Sequence, residues 1–184
     1  MFKLLIFHST VLGPEAEGKS AYINYLMKRT TLKKHIPTTE IITLEYKFKT
    51  QDEKNCNVKI FDTPGAKEYE SLLDEPISKS DGFLIIFSKK VDRKIQEEKI
   101  LNFLKKITRK ETEKNPTVFL IASMDDLEDL VLDFDDVEDM GLKFGSKFFE
   151  VSSKTGNQIE QSFEALIKNY IKEKKKAQKE YLKD

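Results

Sequence analysis

The chain of 184 residues contains no tryptophan and only one cysteine, Cys56. A lone thiol can form neither an internal disulfide nor a cysteine zinc cluster, which excludes the disulfide-stapled class and points to a reducing compartment. An excess of one charge sign is lacking as well, since 32 Lys and Arg balance 32 Asp and Glu. Nucleic-acid binding driven by bulk charge is thereby excluded, and any anion site must be local. Long hydrophobic runs are also missing. The longest, GFLIIF at 82–87 and VFLIA at 118–122, fall far short of the roughly 20 residues that span a bilayer and read as buried strands. No small-residue cleavage site follows the opening MFKLLIFHST, Phe2 stands where myristoylation needs glycine, and the closing KEYLKD has no cysteine to prenylate. The expectation is a cytoplasmic protein without a membrane anchor of its own, recruited to a membrane only through a partner. The basic run 172–176 reads as a solvated helix face.

What is present alternates between short β-rich apolar runs and longer charged amphipathic stretches, the pattern of a mostly parallel sheet flanked by helices. A first strand runs from Phe2 to about Phe7 or on to Leu12, and a helix opens at GKSAYINYLMKRT with an apolar stripe of Tyr22, Ile23, Leu26 and Met27. IITLEYKFKT and NVKIF form a hairpin about the polar turn 52–55. DGFLIIF, a helix at QEEKILNFLKKITRK, and PTVFLIA follow. A helix near DFDDVEDMGLKFG, with Gly141 and Gly145 as stops, then KFFEVSS and a helix from about Asn157 to beyond Tyr170 complete the chain. This predicts one α/β domain over 1–172, with 173–184 as a lysine-rich helix end or tail. The sheet is expected to have six strands, one antiparallel strand at its edge, and helices on both faces.

Residues 13–20, GPEAEGKS, carry the spacing G-x-x-x-x-G-K-S. In that pattern backbone N–H groups wrap phosphates, the lysine bridges the outer two, and the hydroxyl ligates magnesium. The loop sits between a strand pattern and a helix, so the helix N-terminus adds its partial positive charge. Lys19 and Ser20 are the candidate side chains, and Gly13, Glu15, Ala16, Glu17, Gly18 and Ala21 complete the cradle. Its two carboxylates need an account. Glu17 is expected to face outward, and Glu15 falls close to the place of a terminal phosphate.

Downstream stand HIPTTE at 35–40, DTPGAKEY at 62–69, SMDDL at 123–127 and EVSSK at 150–154, in that order. Together with the loop they resemble a Ras-superfamily small GTPase over nearly the whole chain. The resemblance implies a phosphate-loop G domain that binds GTP or GDP with Mg²⁺. It implies that Thr38, with Thr39 as the alternative register, ligates magnesium beside Ser20, that Asp62 holds the ion through water, and that the Gly65 N–H senses the terminal phosphate. Lys19, Thr38 and Gly65 become the catalytic set. Asp126 would accept the paired N1–H and N2–H donors of guanine, with Leu127 beside it. Ser152, Ser153 and Lys154 would form the loop that meets the guanine oxygen and covers the base, and His35 would cover the phosphates. A carboxylate in the loop has precedent: Arf-like members carry an acidic residue then alanine at the places of Glu15 and Ala16.

The departures are specific. Ser123 and Met124 replace the usual asparagine and lysine of the base motif, so serine is expected to lose ties to neighbouring loops, and guanine binding to weaken. Ala66 replaces the glutamine that orients the attacking water. The resulting reading is a molecular switch with slow intrinsic GTP hydrolysis that needs a partner's help. The alternative from another class is a catalytically inactive scaffold, and a kinase or ATPase is disfavoured by Asp126 and the SSK stretch. The resemblance implies effector, exchange and GTPase-activating proteins as partners, through Thr38 and the segment from Asp62 to Tyr69, with no nucleic acid and a monomeric or weakly dimeric state. His8 reads as structural, and the acidic run 125–139 as a solvated loop and helix face.

Overall fold

The computed structural model describes residues 5–28, 30–31, 36–49, 55–109 and 116–181. His35 and residues 52–54 of the turn expected at 52–55 lie outside the described residues, and Asn55 already belongs to a strand. Strand β1 (Leu5–Leu12) leads into α1 (Lys19–Lys28), and β2 (Ile42–Lys49) pairs with β3 (Asn55–Asp62). A 3₁₀ helix (Lys67–Leu73) and α2 (Asp74–Lys79) precede β4 (Gly82–Ser88). Then come α3 (Arg93–Arg109), β5 (Thr117–Ser123), α4 (Phe134–Lys143), β6 (Lys147–Glu150) and α5 (Ile159–Tyr181). The lysine-rich end therefore continues α5 past Lys172.

The six strands lie in the order β2-β3-β1-β4-β5-β6. Only β2 runs antiparallel, with Ile42 opposite Asp62 and Lys49 opposite Asn55, and the remaining neighbours are parallel. This is the expected α/β architecture. Strand β4 shows why helices cover both faces. Leu84 and Ile86 enter one core, with Phe7, Tyr22, Leu26 and Phe163. Phe83, Ile85 and Phe87 enter the other, with Leu73, Ile77, Ile100 and Met140. The period of two sends alternate side chains to opposite faces, and a strand buried on both sides reads as a continuous apolar run.

On the first face α1 and α5 lie side by side. Ile159, Phe163, Leu166 and Ile167 are fully buried along one stripe of α5, and the Tyr22 hydroxyl bridges to Ile159 O at 3.1 Å and Ser162 Oγ at 2.9 Å. On the second face α4 begins at a capping box, in which the Asp133 side chain accepts from Asp136 N and the Asp136 side chain from Asp133 N. It ends before Gly145, at φ +60°. Gly141, expected as a stop, instead lies inside α4. A Cβ there would stand 2.8 Å from the Phe148 ring, so this glycine lets the helix approach β6.

β1 is flanked by β3 and β4 in the middle of the sheet. The loops after β1, β3 and β5 all open on the edge formed by the strands' carboxyl ends, where open α/β sheets bind their ligands.

Candidate functional site

The loop 13–18 leaves β1 with a sharp reversal. Gly13 has φ +149°, and a Cβ on it would lie 2.2 Å from Ile86 O, so only glycine lets the loop pass over β4. Ala16 and Gly18 also have positive φ, 59° and 96°, so the chain turns on both sides of Glu17. Lys19 opens α1 and folds back over the loop, donating to Gly13 O at 2.9 Å and Pro14 O at 2.7 Å. Burial lowers its pKa to about 8, although the charges of Asp62, Glu17 and Glu15 act to raise it.

Ser20 Oγ lies 3.0 Å from Thr38 Oγ1. That contact distinguishes between the two registers, because Thr38 is half-buried against the loop while Thr39 is exposed. Asp62, at the end of β3, is buried, and its Oδ1 has no hydrogen-bond partner. Burial raises the Asp62 pKa, opposed by the nearby Ser20 hydroxyl and Lys19 charge. Two hydroxyls in contact and an unpaired carboxylate oxygen make an all-oxygen donor set, the chemistry that suits a hard divalent cation such as Mg²⁺. These residues fit that ion.

Gly65 packs onto the loop. A Cβ there would stand 2.4 Å from Glu15 N, 2.4 Å from Lys19 Nζ and 2.5 Å from Pro14 C. Ala66 follows in extended conformation and caps the 3₁₀ helix without a side-chain hydrogen bond, its carbonyl accepting from Tyr69 N at 3.1 Å. A cavity of about 350 Å³ is lined by Glu15, Ala16, Lys19, Ser20, Thr38 and Gly65 together with Met124. Gly18, Ala21, Ile36 and Pro37 complete its wall. Ile36 and Pro37 were not singled out from the sequence, although their place beside Thr38 was the available signal.

Beyond Met124 the second group gathers. Asp126 Oδ1 accepts from Ser152 Oγ at 2.6 Å, and Asp126 Oδ2 lies 3.5 Å from Lys154 Nζ. Ser152 Oγ in turn accepts from the N–H of Lys154 at 3.2 Å and of Thr155 at 3.1 Å. Leu127 closes its turn by donating to Met124 O at 3.2 Å, and Ser153 lies half-buried in the neighbouring turn. Asp126 is thus held by the 152–154 loop through both carboxylate oxygens, which ties its own loop to that one.

Two expectations are overturned here. Glu17 does not face outward: its side chain is only 5% exposed and turns away from the cavity into the protein. The interior supplies its donors, Ser88 N, Gln96 Nε2 at 2.9 Å and Lys99 Nζ at 3.3 Å. Ser123 does not lose the tie to the phosphate loop either. Its Oγ donates to Glu17 O at 2.8 Å, because β5 ends close enough to the loop for a short side chain to reach.

The acidic run is likewise only partly a solvated face. Lys89, 4% exposed at its side chain, pairs with Asp125 Oδ1 at 2.9 Å and Glu150 Oε1 at 2.5 Å. Those two carboxylates lie immediately before Asp126 and two residues before Ser152. Lys89 O also accepts from Val131 N and Leu132 N. No sequence motif marked this buried lysine, since its partners are brought in by the loop between β5 and α4 and by the end of β6. Among the described residues no cluster of three His, Cys, Asp or Glu is arranged to hold a metal by itself.

A central parallel strand feeding a glycine-bounded loop, with a lysine, two hydroxyls and a carboxylate about one cavity, defines a phosphate-loop α/β domain. The model of the Ras family matches residues 8–172. The chain belongs to the Ras family and is therefore of the small-GTPase, guanine-nucleotide switch class. No helix among the described residues is long and apolar enough to cross a membrane.

Proposed function

We propose that this chain binds Mg²⁺ with GTP or GDP in the cavity between Gly65 and Met124, and acts as a switch whose unassisted hydrolysis is slow. The convergence of Lys19, Ser20, Thr38 and Gly65 on one cavity, with the unpaired Asp62 carboxylate oxygen beside Ser20 and Asp126 two residues after Met124 of its wall, carries the reading. The loop N–H groups and Lys19 bind the phosphates. Ser20, Thr38 and Asp62 hold the ion, which when bound neutralises phosphate charge. Asp126 accepts the two adjacent N–H donors of guanine, where adenine would present an acceptor. Its bond from Ser152 fixes the orientation, and the Met124 stem provides an apolar wall.

The segment 36–41 reaches the loop through the Thr38–Ser20 contact, and 63–66 reaches it through Gly65. Both respond to the terminal phosphate and present a changed surface to effectors, exchange factors and GTPase-activating proteins. Ala66 has no side chain to orient water, and the Glu15 carboxylate borders the phosphate end. Unassisted turnover is accordingly set at or below roughly 10⁻⁴ to 10⁻³ per second, and a partner supplies the missing group. The protein works in the cytoplasm, or at a membrane through a partner, as a monomer or weak dimer, with residues 1–172 as the G domain and 173–184 as a lysine-rich helix end or tail.

The test is to denature purified protein and identify what it releases, then to titrate stripped protein with GDP, GTP and ATP plus magnesium and follow phosphate release. About one guanine nucleotide per chain, ATP excluded and slow release are expected. No nucleotide and no measurable binding would replace the switch with a scaffold, and fast turnover would remove the role given to Ala66.

A further inference from the structure

A carboxylate inside a loop that must wrap a polyanion is an electrostatic cost unless something in the fold uses it. Glu17 is used. Its Oε2 accepts from Ser88 N at the end of β4 and from Gln96 Nε2, and its Oε1 from Lys99 Nζ. Gln96 is fully buried and also donates to Ser88 O at 3.0 Å. The Glu17 carbonyl takes the Ser123 hydroxyl. One residue of the loop is therefore clamped by β4, α3 and β5 together.

The clamp falls where the loop is least constrained by its own sequence. With positive φ at Ala16 and Gly18 on either side, the direction of the intervening peptide groups follows the orientation in which Glu17 is held. An apolar side chain would leave Ser88 N and Gln96 Nε2 without their acceptor. An amide would turn an NH₂ group toward at least one donor.

We propose that Glu17 is a positioning residue for phosphate binding, and that Lys99 on α3 is the exposed end of the same device. Lys99 has 37% of its side chain exposed while its carboxylate partner has 5%, so one end of the pair answers to the surface of α3 and the other to the phosphate loop. Loss of Lys99 loosens the loop without touching a ligand. The inference rests on the nucleotide-binding reading above, and its test separates the two.

Dissociation of a fluorescent GDP and a fluorescent GTP analogue is measured for wild type, Lys99→Met, Lys99→Arg, Glu17→Gln and the double variant Glu17→Gln/Lys99→Met. Urea unfolding of each is followed in parallel. Lys99→Met is expected to speed release of both nucleotides about 3- to 10-fold, with Lys99→Arg restoring wild-type release within about twofold. The double variant should release no faster than Glu17→Gln alone, because one linkage has been cut twice. Wild-type release should quicken with salt more than that of Lys99→Met. Additive effects, or release by Lys99→Met equal to wild type, would overturn the proposal, as would release rates that merely follow urea stability. If wild type binds no guanine nucleotide, the earlier reading fails while this one is still read by amide hydrogen exchange of residues 13–20. Faster exchange there in Lys99→Met and Glu17→Gln supports the clamp, and unchanged exchange refutes it.

Discussion

Replacing Lys89 with methionine removes a buried charge that holds two loops. The lysine side chain is 4% exposed, and its partners Asp125 and Glu150 are 25% and 13% exposed. Burial acts to lower the Lys89 pKa, but hydrogen bonds and charge from Glu150 and Asp125 outweigh it and raise the value overall. Cutting a buried ion pair from one side typically costs about 3–5 kcal/mol, because the remaining charge is left without compensation. Here two carboxylates are left facing one gap, but both reach some water, which places Lys89→Met near the lower end at about 3 kcal/mol. For a chain of this size that loss lowers Tm by about 6–12 °C. Urea unfolding with an unchanged slope is the assay, paired with GDP titration of the folded variant. Guanine affinity should fall about tenfold, since Asp126 lies one residue and Ser152 two residues beyond the two freed carboxylates. Adding Asp125→Asn and Glu150→Gln should recover most of the stability by removing the unpaired charges. A cost under about 1 kcal/mol for the single variant, or no recovery in the triple, would refute the reasoning.

Other substitutions probe the remaining joints. Ser123→Ala deletes the donor to the buried Glu17 carbonyl and should cost about 1–3 kcal/mol of stability in urea unfolding. Gly65→Ala places a Cβ 2.4 Å from Glu15 N, and backbone must move about 1 Å to relieve it. GTP affinity should therefore fall more than GDP affinity, as read by competition with a fluorescent nucleotide. Asp126→Ala removes the acceptor of the paired guanine donors and should erase the preference for GDP over ADP, a loss of about 1–3 kcal/mol. Ala66→Gln restores a side chain able to orient water and should speed single-turnover phosphate release. An unchanged rate would place the block at Glu15 instead.

Much of the geometry at the proposed phosphate end was legible in the sequence because it is encoded locally. Gly13, Gly18, Lys19 and Ser20 lie within eight residues, and their placement follows from backbone conformation and from the helix that begins at Lys19. The proposed guanine end was legible only as residue types, since Asp126 and Ser152 meet through the pairing of β5 with β6. Glu17 marks the boundary. Position alone showed a carboxylate in a phosphate loop, but not which way it pointed.

By itself the sequence determined the alternation of strands and helices except for the short helices over 67–79, the two-faced burial of β4 and the loop that follows β1. Each of these is set by side-chain periodicity or by residues close in the chain. Only the tertiary structure decided that Thr38 rather than Thr39 meets Ser20, that Ser123 anchors the loop, and that Glu17 and Lys89 are buried and paired. Those contacts join residues 18 to 106 positions apart. A side chain's burial and charge pairing depend on which distant donors the sheet order brings beside it, and no local pattern carries that information.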